Sequence, residues 1–89
     1  MNNNASYSLS TIRRKAYNIN YKVEKGFIHY RDWVYHDQCG NRHSGYMVYD
    51  LERNVYVQGC YDADFDFLWE LGDVIEFLKE EYKRIGIDW

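Results

Sequence analysis

Eighty-nine residues with 17 aromatics (ten Tyr, four Phe, three Trp), 46% hydrophobic content, no proline and a formal charge of −3 describe one small domain with a core. That composition excludes a disordered chain, and no apolar run reaches the ~18 residues of a membrane span. The opening Met1-Asn2-Asn3-Asn4-Ala5-Ser6 lacks a basic stretch followed by an apolar one, so a cytoplasmic protein is expected.

Residues 1–7 read as a polar, frayed tail and residues 8–89 as a single domain. From Ser8 the pattern turns helical. Ser8 or Ser10 can cap the first turn, and Leu9, Ile12, Ala16 and Ile19 recur at helical spacing. Arg13, Arg14 and Lys15 spread over more than half of the helix circumference and favour its C-terminal half through the dipole. Asn18 and Asn20 are stop signals.

Tyr21–His36 is dense in β-branched and aromatic residues and reads as one long strand, bulged or bent at Gly26. Asp37–Arg42 is a turn, a second strand follows at about Ser44–Leu51, Glu52-Arg53-Asn54 turns tightly, and a third strand covers about Val55–Tyr61. The short connections predict an antiparallel meander. Residues 62–67 alternate acidic and apolar and read as a loop with its aromatics tucked inward. Leu71, Val74, Ile75, Leu78, Tyr82 and Ile85 give the clearest periodicity, an amphipathic helix over about 70–85 with Gly86 as its C-cap. The expected fold is therefore α+β, in the order α-β-β-β-α. A three-stranded antiparallel sheet is flanked by two helices, both packed on one face.

Alternation on the strands assigns Val55 and Val57 to the core side. It leaves Arg31, Trp33, Tyr35, Tyr49 and Tyr56 together on the open side of the sheet, in a register that a bulge at Gly26 would invert. Such a face stabilises a small sheet through cross-strand aromatic pairs, stacks on unpaired bases, or forms a protein interface.

Charge is strongly polarised. Residues 1–49 carry a net +4 and residues 50–89 a net −7, with Asp62, Asp64, Asp66, Glu70, Asp73, Glu76, Glu80 and Glu81 within twenty positions. Beyond a solvated face, this segment has a functional reading. An acidic surface, anchored by Trp69 and Phe67, fits a basic groove on a partner, and such grooves are commonly nucleic-acid channels. The double-stranded RNA-binding domain shares the element order but needs lysines at the start of its second helix. Glu70 and Asp73 stand there, and like charge repels phosphate.

His36, Cys39, His43 and Cys60 have an irregular spacing for zinc, and no metal site or cofactor is predicted. With no glycine-rich phosphate loop, nucleophile elbow or paired metal motif, a non-enzyme is expected.

The run Tyr7–Ala16, Gly45-Tyr46-Met47-Val48-Tyr49-Asp50 and Glu76-Phe77-Leu78 resemble small accessory proteins encoded on phages and conjugative elements of Gram-positive bacteria (Firmicutes). The resemblance implies a mobile-element setting, in which such proteins regulate DNA transactions or disable host defences, CRISPR nucleases among them. Two functions follow as expectations. One is a non-catalytic inhibitor of a host nucleic-acid-handling enzyme, anti-CRISPR-like, acting through Asp62, Asp64, Asp66, Trp69, Glu70, Asp73, Glu76 and Glu80. The alternative is a DNA- or RNA-binding accessory protein that uses Arg13, Arg14, Lys15, Arg31, Trp33, Tyr35, Tyr49 and Tyr56. Either works as a monomer or homodimer, away from membranes.

Overall fold

The computed structural model describes residues 7–60 and 64–89. Two helices and six strands follow in the order α1 (Leu9–Tyr17), β1 (Tyr21–Phe27), β2 (His29–Tyr30), β3 (Trp33–Val34), β4 (Ser44–Asp50), β5 (Val55–Gln58), β6 (Phe65–Asp66) and α2 (Leu71–Ile85). The fold is mixed α+β, with the expected helices at either end and two small antiparallel sheets between them.

The helix ends follow their sequence signals. Ser8 Oγ accepts from the Thr11 N–H at 3.2 Å, satisfying one of the amides a helix start leaves open, a contribution of about 1 kcal/mol. At the far end Gly86 takes φ 90°, and its N–H closes the last turn onto the Tyr82 and Lys83 carbonyls.

The main sheet has the order β1-β4-β5, a meander in which Tyr21 lies opposite Asp50, Val23 opposite Val48 and Gly26 opposite Gly45. Period-two alternation then sends Tyr21, Val23 and Val48 to the same face. On that face α1 packs on β1, α2 packs on β4, and the two helices touch. The core they enclose contains Ile12, Ala16, Ile19, Val74, Ile75, Leu78 and Tyr82. Each fully buried aliphatic side chain there contributes about 1.5–3 kcal/mol. The Tyr82 hydroxyl donates to the Lys15 carbonyl at 2.7 Å, so the helices are joined by a polar tie as well.

Three expectations about single residues need correction. Tyr7 is no tail residue: its ring meets Trp89 edge-on at 5.7 Å and its hydroxyl accepts from Trp89 Nε1. Met1–Ser6 lie outside the described residues, as do Tyr61, Asp62 and Ala63. Val55 is 46% exposed, because it starts an edge strand away from the helices, whereas Val57 does pack on the core. Ile85 is likewise exposed, at the last turn of α2.

The largest correction concerns the long first strand. It ends at Phe27, and residues 29–34 fold back as a two-residue hairpin with Arg31 and Asp32 at its tip. Arg31 takes φ 55°, the conformation that such turns ordinarily give to glycine, so the usual turn signal is missing from the sequence. This hairpin and β6 make the second sheet, in the order β3-β2-β6. Within the segment 62–67, expected as a loop, Phe65 and Asp66 thus supply a strand. The aromatics of the segment do turn inward, both Phe65 and Phe67 being half-buried.

Gly26 and Gly45, a cross-strand pair on the face turned away from the helices, create the seat for this second layer. A Cβ at Gly26 would stand 2.7 Å from the Phe67 ring. A Cβ at Gly45 would strike the Phe67 carbonyl oxygen and lie 3.0 Å from the Trp69 carbonyl oxygen. The absence of both side chains lets the 67–69 segment approach the sheet closely, and Trp69 pairs with Tyr46 as an added bridge along β4.

Candidate protein-binding surface

The eight residues of the expected acidic surface, Trp69 among them, divide into two groups. Asp66 belongs to the second sheet and Asp64 lies just before its last strand, each beside a nitrogen-bearing side chain. Asp66 Oδ2 is 3.3 Å from His29 Nε2, and Asp64 Oδ1 is 3.9 Å from the Arg31 guanidinium. Asp62 lies outside the described residues. The remaining five, Trp69, Glu70, Asp73, Glu76 and Glu80, stand at the start of α2 and along it.

Glu70 and Asp73 form the capping box of α2. The Glu70 N–H donates to Asp73 Oδ2 at 2.9 Å, and two carboxylates at a helix N-terminus also suit its dipole. Asp73, Glu76, Phe77 and Glu80 follow at intervals of three and four, which puts them on one stripe of the helix. With Trp69 they line a shallow cleft of about 410 Å³. Its aromatic part is built by Trp69 and Phe77, whose rings meet edge-on at 5.8 Å. Both are half-buried, and Phe77 in turn rests on Tyr21 at 5.2 Å. The aromatic part of this surface is therefore held by the core, while Asp73, Glu76 and Glu80 are exposed around it. Lys79 is drawn off the stripe, toward the Tyr7 and Trp89 rings. Phe77 was absent from the sequence-based set, although its spacing from Asp73 and Glu80 placed it on the same stripe.

The basic residues are arranged differently. Arg13 Nε donates to the Val23 carbonyl at 3.2 Å, and Lys15 Nζ donates to the Trp89 carbonyl at 2.7 Å while sitting 4.5 Å from the Trp89 ring. Both side chains tie α1 to its neighbours. Arg14 is exposed. The aromatic face expected to join them is split between the sheets. Tyr49 and Tyr56 pair edge-on at 4.9 Å on the main sheet, and the Tyr56 hydroxyl donates to Glu24. Trp33, 67% exposed, and Tyr35 belong to the hairpin region, where Tyr35 stacks on Phe65 at 5.9 Å and Phe65 lies 4.8 Å from Tyr30. Arg31 sits 5.0 Å from the Tyr30 ring. The break after Phe27 is the reason these residues do not share one face.

His36 and His43 line one cleft, without Cys39 or Cys60. Among the described residues no three His, Cys, Asp or Glu side chains are placed to hold a metal ion. Burial and the Asp66 carboxylate push the Cys60 thiol up, away from the thiolate form a nucleophile needs. Asp37 is held below the usual carboxylate range by the Asn41 and Cys39 backbone amides it accepts, which organise the 37–42 turn. Among the described residues no helix is long and apolar enough to cross a membrane. Comparisons with protein-family models, curated proteins and solved structures give no significant match.

Proposed function

We propose that this chain is a non-catalytic interaction protein that docks the acidic stripe of α2 into a basic groove of a nucleic-acid-handling enzyme and so keeps nucleic acid out of it. The observation that carries this reading is the convergence of Asp73, Glu76 and Glu80 around the Trp69–Phe77 pair in one cleft. Aromatic anchors inside a rim of one charge suit an interface in which the anchors supply affinity and the charges steer association. The competing nucleic-acid reading is weakened by Lys15, which is engaged within the fold, and by the division of its aromatic residues between the two sheets. A mobile-element inhibitor of a host nuclease is the form of this function that the resemblance to phage and conjugative-element proteins suggests.

The test is a charge reversal on each side of the molecule. Glu76→Lys with Glu80→Lys places lysine at two exposed helix positions and leaves the core untouched, so the variant should fold. Capture from nuclease-treated lysate of a Gram-positive bacterium should lose its protein partner in this variant and keep it with Arg14→Glu. Loss with Arg14→Glu and retention with the α2 variant would sink the proposal.

A further inference from the structure

The outer edge of β1 lies apart from the acidic stripe of α2. β1 is the end strand of the main sheet, and among the described residues no strand pairs with its other side. In an antiparallel strand the N–H and C=O of one residue point to the same side, and successive residues alternate. The Ile28 N–H donates to the His43 carbonyl at 2.7 Å, so residues 22, 24 and 26 also point toward β4. Tyr21, Val23, Lys25 and Phe27 therefore direct their backbone groups outward. The Val23 carbonyl fits this phase, because it is met from outside the sheet by Arg13 of α1.

Beside this edge runs a cleft of about 410 Å³ lined by Arg13, Tyr17, Lys22, Val23, Glu24 and Lys25. Its one carboxylate, Glu24, is taken up by Lys22 at 3.4 Å and by the Tyr56 hydroxyl at 2.9 Å. Arg13 and Lys25 are left as uncompensated positive charge, with Tyr17 54% exposed beside them and Phe27 42% exposed at the end of the strand. Lysine on an edge strand commonly guards against pairing. Here the net charge of the cleft has one sign, so it rejects basic strands and favours acidic ones.

We propose that the β1 edge accepts an extended acidic peptide segment of a partner protein by strand addition. The peptide backbone pairs with the outward N–H and C=O groups of Lys25 and Phe27, and its carboxylates meet Lys25 and Arg13, the latter turning from the Val23 carbonyl. A nucleic-acid strand is the poorer occupant, because the outward carbonyl oxygens that accept from a peptide N–H repel a phosphate.

The probe is a short capped peptide alternating glutamate with valine, titrated into isotope-labelled protein and read by amide chemical shift and hydrogen exchange. The Lys25 and Phe27 amides should become protected by tenfold or more, and a lysine–valine peptide should not bind. Lys25→Ala removes only the charge and should weaken binding a few-fold. Lys25→Pro also removes the outward N–H while sparing every β1–β4 hydrogen bond, which an edge strand tolerates. It should weaken binding roughly tenfold further, the scale of one or two lost backbone hydrogen bonds. The α2 variant Glu76→Lys/Glu80→Lys should bind the peptide as the parent does, which separates this site from the proposed acidic interface. Equal binding by Lys25→Pro and Lys25→Ala overturns strand addition. So does absence of protection at Lys25 and Phe27 in the parent protein, or displacement of the peptide by a single-stranded oligonucleotide at lower concentration.

Discussion

Replacing Gly26 and Gly45 by alanine, singly and with Phe67→Ala, tests how the second sheet is held on the first. At Gly26 the new methyl would lie 2.7–2.8 Å from three atoms of the Phe67 ring and from nothing else as close. Ordinary carbon contact is about 3.5–4.0 Å, so the ring must move by roughly 1 Å, and overpacking of this kind costs about 1–3 kcal/mol. Alanine also stiffens the unfolded chain, which returns about 0.4–1 kcal/mol. In the Phe67→Ala background the obstructing ring is gone, and Gly26→Ala should be neutral or slightly stabilising. The double-mutant cycle should therefore show a coupling of about 1–3 kcal/mol. Gly45 behaves differently, because its methyl would meet main-chain atoms, the Phe67 carbonyl among them, with the Phe67 carbonyl carbon at 2.8 Å. Its cost should be larger and should persist when the Phe67 side chain is removed. Urea unfolding followed by circular dichroism gives all six stabilities. An additive Gly26/Phe67 cycle, or full rescue of Gly45→Ala by Phe67→Ala, would refute this account of the docking.

Three further outcomes follow from the same contacts. Burial and the hydrogen bond to Glu81 push the Tyr21 hydroxyl up to about 12. A group whose pKa is raised on folding contributes fully below its unfolded value of 10.0 and loses that contribution as the pH climbs toward 12. Stability should fall by on the order of 2 kcal/mol across that window, less so in Tyr21→Phe, as read by denaturation at stepped alkaline pH. The hydrogen bonds from Arg84 hold the Glu81 carboxyl below its ordinary 4.5, so its contribution is present above that pH and lost on acidification through the lowered value. Glu81→Gln should flatten the acid limb of the stability profile, and an unchanged limb would contradict the pairing. Trp89→Ala removes the ring between Tyr7 and Tyr82 and the cover over Lys15, and should cost about 2 kcal/mol in thermal or urea unfolding.

The parts legible in the sequence were those governed by local rules. Ser8 and Gly86 marked their helix ends because capping chemistry is local, and the α2 stripe was legible because its apolar period survives without knowledge of the partner sheet. The hairpin at Arg31-Asp32 was hidden, since neither residue advertises a turn with positive φ and the aromatic run around it reads as a continuous strand. β6 was hidden for a related reason: a two-residue strand exists only through its pairing with β2, which is a long-range fact. That hairpin decides the candidate site. It draws Asp64 and Asp66 to His29 and Arg31, away from α2, and separates Trp33 and Tyr35 from Tyr49 and Tyr56. The glycines were visible at 26 and 45, but the seat they make for Phe67 depends on their being cross-strand neighbours.

The central claim is that the acidic stripe of α2 competes with nucleic acid for a partner's basic groove. It is tested most directly by measuring the captured partner's affinity for nucleic acid at increasing concentrations of this protein. The apparent Kd for nucleic acid should rise in proportion to the protein added, and the Glu76→Lys/Glu80→Lys variant should leave it unchanged. A ternary complex of partner, nucleic acid and this protein, with the nucleic-acid affinity unaltered, would contradict the account.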